Sequence, residues 1–343
     1  MVEIDEAIVT NLVIHRIGIE SNMSFLSKSE YKIKTEEEED TLLKIFLKPF
    51  TSNVTTYEFK HDIDINLNPL FNLARDIKEE QSFFLKSIDI HQHLKSVSKH
   101  PNIKDGDLFI LKYDNLKFDN NYYAAIGIYK VENKERFIET SPPDENNQIA
   151  MDFKQGVGAR KLDKACLILF SEEPYTVFIV DNASRDTDYW LNEFVNVKLR
   201  NDYVNSTSQF MSLTKSFITE QIPAEYEVNR ADQIDFLNRS VDYFKSHDTF
   251  EKEEFEKEVF QEDTVIESFR NFDESYSQEN KIEVDSSFEI SPQAVKKQSR
   301  IFKSVLKLDK NFHIYIHGNK ELIEQGVDAD GRKYYKIFYK EER

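Results

Sequence analysis

The sequence has few cysteines, no long apolar runs and a deficit of positive charge. Its single cysteine, Cys166, excludes an internal disulfide, and the apolar run over residues 165–170 predicts a buried structural thiol. No stretch approaches 18 consecutive apolar residues, which excludes a transmembrane helix. Residues 1–6 have neither a basic start nor an apolar core, so we expect no signal peptide and a cytoplasmic protein.

Basic residues are outnumbered, with 45 Lys and Arg against 63 Asp and Glu and a net charge of −18. A field of that sign repels phosphate and argues against a nucleic-acid ligand. However, residues 248–289 hold 15 acidic and 4 basic residues, so a net charge of −11 is concentrated there. The Debye length is about 8 Å at physiological salt, whereas a compact chain of this length has a radius of gyration of roughly 20 Å. A basic surface elsewhere is therefore compatible with an acidic protein.

The motifs of common enzymes and metal sites are also missing. There is no G-x-x-x-x-G-K-[ST] and no G-x-S-x-G. The pairs His91 with His93 and His313 with His317 lack cysteine or carboxylate partners at a recognised spacing, so we interpret them as packed or exposed histidines. Residues 328–331, DADG, resemble part of a calcium-binding loop. The twelfth position of such a loop requires an acid but falls on an isoleucine in this sequence, so we predict a turn without calcium. The sequence predicts a protein that is not an enzyme and has no cofactor or metal site.

The first two thirds of the chain predict helices and a sheet. Apolar residues have helical spacing between Glu3 and His15, and residues 13–17 are predicted to be extended. Helices are predicted over residues 36–50 and twice within residues 66–98. Segments rich in β-branched and aromatic residues predict four antiparallel strands, at 107–113, 122–131, 165–170 and 175–180. The last two are apolar on both faces and joined by a hairpin-length turn, so we expect them at the sheet centre, covered by helices.

The predicted fold class is therefore α+β, with mixed helices and an antiparallel sheet. We expect a first domain over residues 1–222 with this central sheet. The second, over residues 223–343, is expected to be mostly helical and to end in a small basic αβ unit. Apolar faces at helical spacing within residues 234–244 and 255–269 support the helical assignment.

A run of cations after Ser291 and Pro292, a typical helix start, is the strongest functional signal. Four of them follow at i, i+4, i+7 and i+11, within a band of roughly 60° on one helix: Lys296, Arg300, Lys303 and Lys307. Residues 296–320 contain 7 bases and 1 acid, so the usual acidic partners are missing. Like charges at this spacing cost about 0.2–0.5 kcal/mol per pair. The pattern predicts a cationic ridge that attracts an anion, either phosphate or the acidic segment just upstream.

The chain ends in a predicted strand from Phe312 to His317, a short helix from Asn319 to Gln325, and a strand from Lys333 to Tyr339. Lysines and aromatic residues are interleaved in the last strand, so neither face is purely basic. Such interleaving is typical of a polyanion-binding surface and also of an ordinary sheet edge. The candidate nucleic-acid-binding residues are Lys296, Lys297, Arg300, Lys303, Lys307, Lys310, Lys333, Lys336 and Lys340.

The sequence also resembles bacterial nucleoid-associated proteins of the NdpA type. The blocks that carry the resemblance are IVTNLVIHRI (8–17), DLFILKY (107–113), LDKACLILF (162–170), DYWLNEFVNV (188–197), MSLTKSF (211–217), IDFLNRSVDYF (234–244) and LKLDKNFHIYIHG (306–318). The resemblance implies binding of double-stranded DNA, and in some members RNA, in the nucleoid, without cofactor or catalysis. It supplies no individual site residues, so the candidate residues rest on the charge pattern.

Two classes of function stay open. In the first, the protein binds duplex DNA without sequence preference, and the ridge and terminal strand neutralise phosphates. In the second, it is an adaptor whose acidic helices hold a basic protein partner while the ridge docks internally. A nuclease with dispersed acidic ligands has no ligand spacing to support it. Homodimerisation stays open as well, and no membrane partner is expected.

Overall fold

The computed structural model of the protein describes residues 1–18, 20, 23–143, 145, 147–158, 162–182, 189–280, 282, 284–302, 305–308, 310–316 and 322–341. It divides into two compact units, unit 1 (Met1–Arg200) and unit 2 (Asn201–Arg343). Helices and antiparallel strands occur in both units, so the α+β prediction is confirmed. None of the described helices combines the length and the apolar composition needed to cross a bilayer.

Unit 1 is built on an antiparallel sheet. The strands of this sheet are β1 (Ile8–Ile17), β2 (Tyr57–Phe59), β3 (Gly106–Phe118), β4 (Asn121–Val131), β7 (Lys164–Leu169), β8 (Thr176–Asp181) and β9 (Val197–Leu199). They lie in the order β1-β3-β4-β7-β8-β2-β9. Between β4 and β7, the chain forms a separate two-stranded hairpin, β5 (Glu135–Thr140) with β6 (Met151–Gly156).

Helices cover both faces of this sheet. The helices of unit 1 are α1 (Glu36–Phe46), α2 (Pro69–Lys78) and α3 (Phe83–Val97), with 3₁₀ turns at Lys48–Phe50 and Ile65–Leu67 and a π-helical turn at Trp190–Val195. In β7, Cys166 and Ile168 pack with α2 and α3, whereas Ala165 and Leu167 pack with α1. The predicted position of β7 and β8 at the sheet centre is therefore confirmed. Cys166 is fully buried, and burial raises the pKa of its thiol.

The helix predicted between Glu3 and His15 is wrong, because β1 occupies most of that segment and pairs with β3. The two strands change register between Val9 and Asn11, which marks a β-bulge. A bulge adds a residue to one strand and breaks the two-residue alternation of faces. The apolar spacing on either side of it then imitates a helical period. The other helices and the four strands predicted for this unit are confirmed.

Unit 2 is mostly helical. Its helices are α4 (Tyr203–Ser216), α5 (Ile222–Glu225), α6 (Arg230–Ser246), α7 (Lys252–Val259), α8 (Asp263–Asn280) and α9 (Pro292–Gln298), and a π-helical turn at Phe217–Gln221 joins α4 to α5. Its strands are β10 (Thr249–Glu251), β11 (Ser287–Glu289), β12 (Val305–Leu308), β13 (Phe312–Tyr315), β14 (Ile323–Val327) and β15 (Lys333–Ile337). They pair antiparallel as β10 with β11, β12 with β13, and β14 with β15.

A phenylalanine-rich core holds unit 2 together and sets where it begins. The ring of Phe210 lies 4.3 Å from that of Phe250 and 5.1 Å from that of Phe255, measured between centroids. Phe217 and Ile222 belong to the same core. The units therefore divide after Arg200 and not at residue 222, because α4 buries its apolar side chains in this second core.

Two predictions near the carboxyl end are wrong. Helix α9 ends at Gln298, and the segment expected to continue it to Lys307 instead enters strand β12. Phe302 is buried in the core of unit 2, and Leu306 packs with Ile234 of α6, so tertiary packing overrides the helical spacing of the cations. The sequence predicts a short helix over residues 319–325, but residues 323–325 belong to strand β14. Residues 319–321 lie outside the described part of the chain.

Candidate nucleic-acid interface

The described candidate cations lie in or next to three short elements of unit 2, α9, β12 and β15, and not on one helix. Lys296 and Lys297 are in α9, Arg300 is in the turn that follows, Lys307 is in β12, Lys310 is in the β12–β13 turn, and Lys333, Lys336 and Lys340 are in or after β15. Each of these eight side chains is exposed. Lys303 lies outside the described residues. The cations exist as predicted, but the continuous helical ridge does not.

Helix α9 presents its lysines because its ends are fixed. The hydroxyl of Ser291 accepts a hydrogen bond from the backbone N–H of Ala294 at 3.3 Å, and Pro292 occupies the first turn. Ala294 and Val295 are buried, which leaves the next two residues, both lysines, facing solvent. The start of this helix is therefore as predicted from the sequence.

The β12–β13 hairpin brings a lysine and a histidine together. Lys307 stands opposite His313 in the register, and Leu306 stands opposite Ile314. Directly opposed residues have their Cβ atoms about 4.5–5.5 Å apart and point to the same face. Leu306 and Ile314 pack with Ile234 of α6, so the other face carries Lys307 and His313, both exposed.

That face borders a groove of about 650 Å³, which we name the cationic groove. It is lined by Asn238, Val241, Asp242, Lys245, Ser299, Arg300, Phe302, Val305, Lys307, His313 and Tyr315. Three of these side chains, Lys245, Arg300 and Lys307, are cations, and Asp242 is the one carboxylate among the described lining residues. Phe302 supplies a buried apolar wall. Cations therefore outnumber carboxylates by three to one among the described lining residues of the groove.

The described lysine and arginine ion pairs of the acidic segment, residues 248–289, lie within the segment itself. Arg270 bonds Glu256 at 2.6 Å, and Lys252 pairs with Asp273. Among the residues that the structure describes, no ion pair joins a carboxylate of residues 248–289 to a cation of residues 296–340. The candidate cations without a carboxylate partner in this part of the chain are Lys296, Lys297, Arg300, Lys307, Lys310, Lys333 and Lys340.

The β14–β15 hairpin is a weaker part of the surface. Lys336 stands opposite Glu324 and pairs with it at 3.2 Å, so one of its cations is already neutralised. Tyr335 is partly buried with the cluster around Ile234, and burial raises its pKa. Tyr339 is 71% exposed and could stack on a base. This hairpin therefore combines one neutralised lysine with exposed aromatic rings.

Sequence reasoning missed Lys245 and Tyr315 as lining residues of the groove. Lys245 lies in the last turn of α6, where a cation is expected simply because it complements the helix dipole. Its proximity to Arg300 depends on how α6 packs with the segment after α9. No signal in the sequence indicates that packing.

The remaining motifs have structural roles. Nε2 of His91 donates to the carbonyl of Arg16 at 3.0 Å, and Nε2 of His93 donates to that of Phe194 at 2.9 Å, so these rings are packed side chains, as interpreted. His313 is exposed and His317 lies outside the described residues. Residues 328–331 form the turn between β14 and β15, as predicted, with the N–H of Gly331 donating to the carbonyl of Asp328.

One comparison with known proteins identifies the family. A family model described as nucleoid-associated protein YejK matches residues 13–332, which is nearly the whole chain. The matched region contains the cations of α9 and the β12–β13 hairpin, whereas Lys333, Lys336 and Lys340 lie beyond it. No curated protein matches the chain. The chain belongs to the nucleoid-associated protein YejK family.

Proposed function

We propose that this protein binds double-stranded DNA without sequence preference, as part of the nucleoid. The binding surface is formed by the cations of α9, the turn at Arg300 and the β12–β13 hairpin, together with Lys245. The observation that carries the proposal is the exposure of Lys296, Lys297, Arg300, Lys307 and Lys310 without a carboxylate partner among the described residues. Membership of a nucleoid-associated family supports a DNA-binding role.

Phosphate neutralisation supplies the affinity in this proposal. Each lysine or arginine that contacts a phosphate releases condensed counterions from the duplex, which favours binding at low salt. Phosphate contacts position a protein on DNA but carry no sequence information. Cations spread over a short helix, a turn and a hairpin therefore suit binding that is independent of sequence.

Two alternatives receive less support. The adaptor hypothesis needs the acidic segment to cover the cations, and its described ion pairs, such as Arg270 with Glu256, are internal instead. The nuclease hypothesis needs a catalytic site, whereas nucleoid-associated families are in general not enzymatic. We therefore assign the protein no catalytic step.

A charge-reversal variant tests the surface. Lys296→Glu, Arg300→Glu and Lys307→Glu, combined in one protein, should weaken binding to a 30-base-pair duplex at least about tenfold at 100 mM salt, because three phosphate contacts become repulsive. Fluorescence anisotropy with a labelled duplex measures the change.

The matched control carries the same charge change in unit 1. Lys28, Lys32 and Lys99 are exposed and have no carboxylate partner among the described residues. Their combined replacement by glutamate should leave affinity within about threefold of the original, because these lysines are not part of the proposed surface. Equal losses in both variants would mean that net charge alone governs binding. Unchanged affinity in the first variant would remove this surface from the proposal.

A further inference from the structure

We propose that His247, Glu254 and Glu258 of unit 2 form a binding site for one divalent transition-metal ion, with Zn²⁺ as the ion that fits best. Each residue offers one ligand atom, and these atoms all lie within 4.8 Å of one another. Nε2 of His247 is 3.8 Å from a carboxylate oxygen of Glu258. The site is separate from the cationic groove, whose lining contains none of the three residues.

The imidazole of His247 is held in the tautomer that a metal requires. Its Nδ1 is 3.0 Å from the backbone carbonyl of Tyr243. The carbonyl can only accept a hydrogen bond, and the hydroxyl of Ser246, 3.1 Å from Nδ1, donates to the carbonyl of Asp242 and can accept as well. A proton on Nδ1 satisfies both contacts and leaves the lone pair on Nε2. The ring also stacks on Tyr243, with centroids 4.2 Å apart. A hydrogen bond from the second ring nitrogen to a carbonyl is the usual arrangement for a metal-bound histidine.

The two carboxylates are placed by one helix. Glu254 and Glu258 are four residues apart in α7, so they lie on the same face and repel each other. The hydroxyl of Tyr243 lies 3.2 Å from a carboxylate oxygen of Glu254 and 3.3 Å from the carbonyl of Glu251, so its one proton is shared between these acceptors and helps to orient Glu254.

The nearby cations leave these two carboxylates available. Lys252 pairs with Asp273, Lys257 with Glu253 and Arg270 with Glu256. Among the described residues, neither carboxylate of the site has a lysine or arginine partner. A divalent cation between them would replace a repulsive contact with two attractive ones.

The donor set selects the class of metal. Imidazole nitrogen favours Zn²⁺, Ni²⁺ and Cu²⁺, whereas Mg²⁺ and Ca²⁺ prefer sites built only from oxygen. One imidazole and two carboxylates give Zn²⁺ three ligands, and water completes the tetrahedron. Side-chain exposure of 28% at His247 and 50% at Glu258 gives the ion and this water access. A bound ion would connect the end of α6 to α7 and so stabilise unit 2.

Calorimetric titration of the full-length protein with Zn²⁺ tests the site. We expect one ion per chain, with affinity at least tenfold weaker in His247→Gln and in Glu258→Gln. The matched control is Glu253→Gln, which removes an equally charged and more exposed carboxylate from the same helix and should bind as the original protein does. Mg²⁺ at the same concentrations should give no measurable one-site binding.

Thermal unfolding with and without Zn²⁺ separates loss of metal binding from a folding defect in a variant. The unfolding temperature of each of the four proteins is measured without and with Zn²⁺, and Zn²⁺ should raise it only in the original protein and in Glu253→Gln. The proposal is overturned by absence of one-site binding, by equal Zn²⁺ affinity in all four proteins, or by Mg²⁺ binding as tightly as Zn²⁺. None of these results depends on DNA binding.

Discussion

At the scale of single residues, His15 of β1 is buried in unit 1 as a neutral side chain. The backbone N–H of Ser27 donates to its Nδ1 at 3.1 Å, so the ring proton is on Nε2, which donates to the hydroxyl of Ser87 at 3.0 Å. Burial, and to a smaller extent the neighbouring His91, lowers the pKa of His15 to about 4. A second proton would remove the acceptor that Ser27 uses.

Acid should therefore destabilise unit 1. The folded pKa lies below the unfolded value of 6.5, so this contribution is complete above pH 6.5 and is lost as pH falls towards 4. Between pH 7 and 4.5 we expect the free energy of unfolding to decrease by about 2 kcal/mol through His15. Urea titration followed by the fluorescence of Trp190, the only tryptophan and part of the unit 1 core, measures it.

The comparison protein is His15→Gln, which cannot titrate in this range. Its stability should start lower at pH 7, because the network is altered, and should decrease less on acidification. An equally large decrease of its unfolding free energy on acidification would show that groups other than His15 cause the acid sensitivity.

Lys130 is a second residue with a strong expected effect. Its ammonium donates to Glu132 at 2.7 Å and to the carbonyl of Lys104 at 2.6 Å, and its side chain is fully buried. Burial lowers the pKa of Lys130, while the charge of Glu132 opposes the change. Lys130→Met should cost about 3 kcal/mol of unfolding free energy, because Glu132 remains buried without its counter-ion.

A double variant separates the charge effect from packing. Adding Glu132→Gln to Lys130→Met should recover part of the loss, since the unpaired carboxylate is gone. Trp190 fluorescence during urea unfolding measures both proteins. A cost below about 1 kcal/mol for Lys130→Met would contradict the account of the buried pair.

At the scale of elements, sequence patterns succeeded where local and tertiary preferences agree. Strands β7 and β8, apolar on both faces, lie at the sheet centre as expected, and α1 begins with Thr35 as its cap followed by four glutamates. Sequence patterns predicted the wrong element where tertiary contacts determine the secondary structure. The bulge near Val9 gives the strand β1 a helix-like apolar spacing. Leu306 packs with Ile234, and its segment forms a hairpin instead of continuing α9.

Helix α6 allows a test of one such local preference. Asn229 caps it, accepting from the N–H of Asp232 at 3.0 Å, while the carboxylate of Asp232 accepts from the N–H of Asn229 at 3.1 Å. Asn229→Ala should cost about 1 kcal/mol. Hydrogen exchange should then show about fivefold lower protection in the first turn of α6. Asn229→Ser, which retains a capping oxygen, is the control; equal losses in both variants would exclude a capping effect.

At the scale of the whole molecule, the proposed DNA binding depends on where the charges lie more than on the net charge. The sequence located the cations and the acidic segment correctly but could not show whether they pair. In the structure, Arg270 and Lys252 pair with acids of their own segment, which leaves Arg300 and Lys307 beside a groove. The sequence could not predict that Lys245 lines the groove, because its position there depends on contacts between elements that are distant in sequence.

Salt dependence of DNA affinity tests the central claim most directly. The dissociation constant should be measured between 50 and 300 mM salt for two duplexes of unrelated sequence. With four to six phosphate contacts, a plot of log K against log salt should have a slope of about −3.6 to −5.4, equal for both duplexes. Affinity that does not change with salt, or a strong preference for one sequence, would contradict binding by the exposed cations of unit 2.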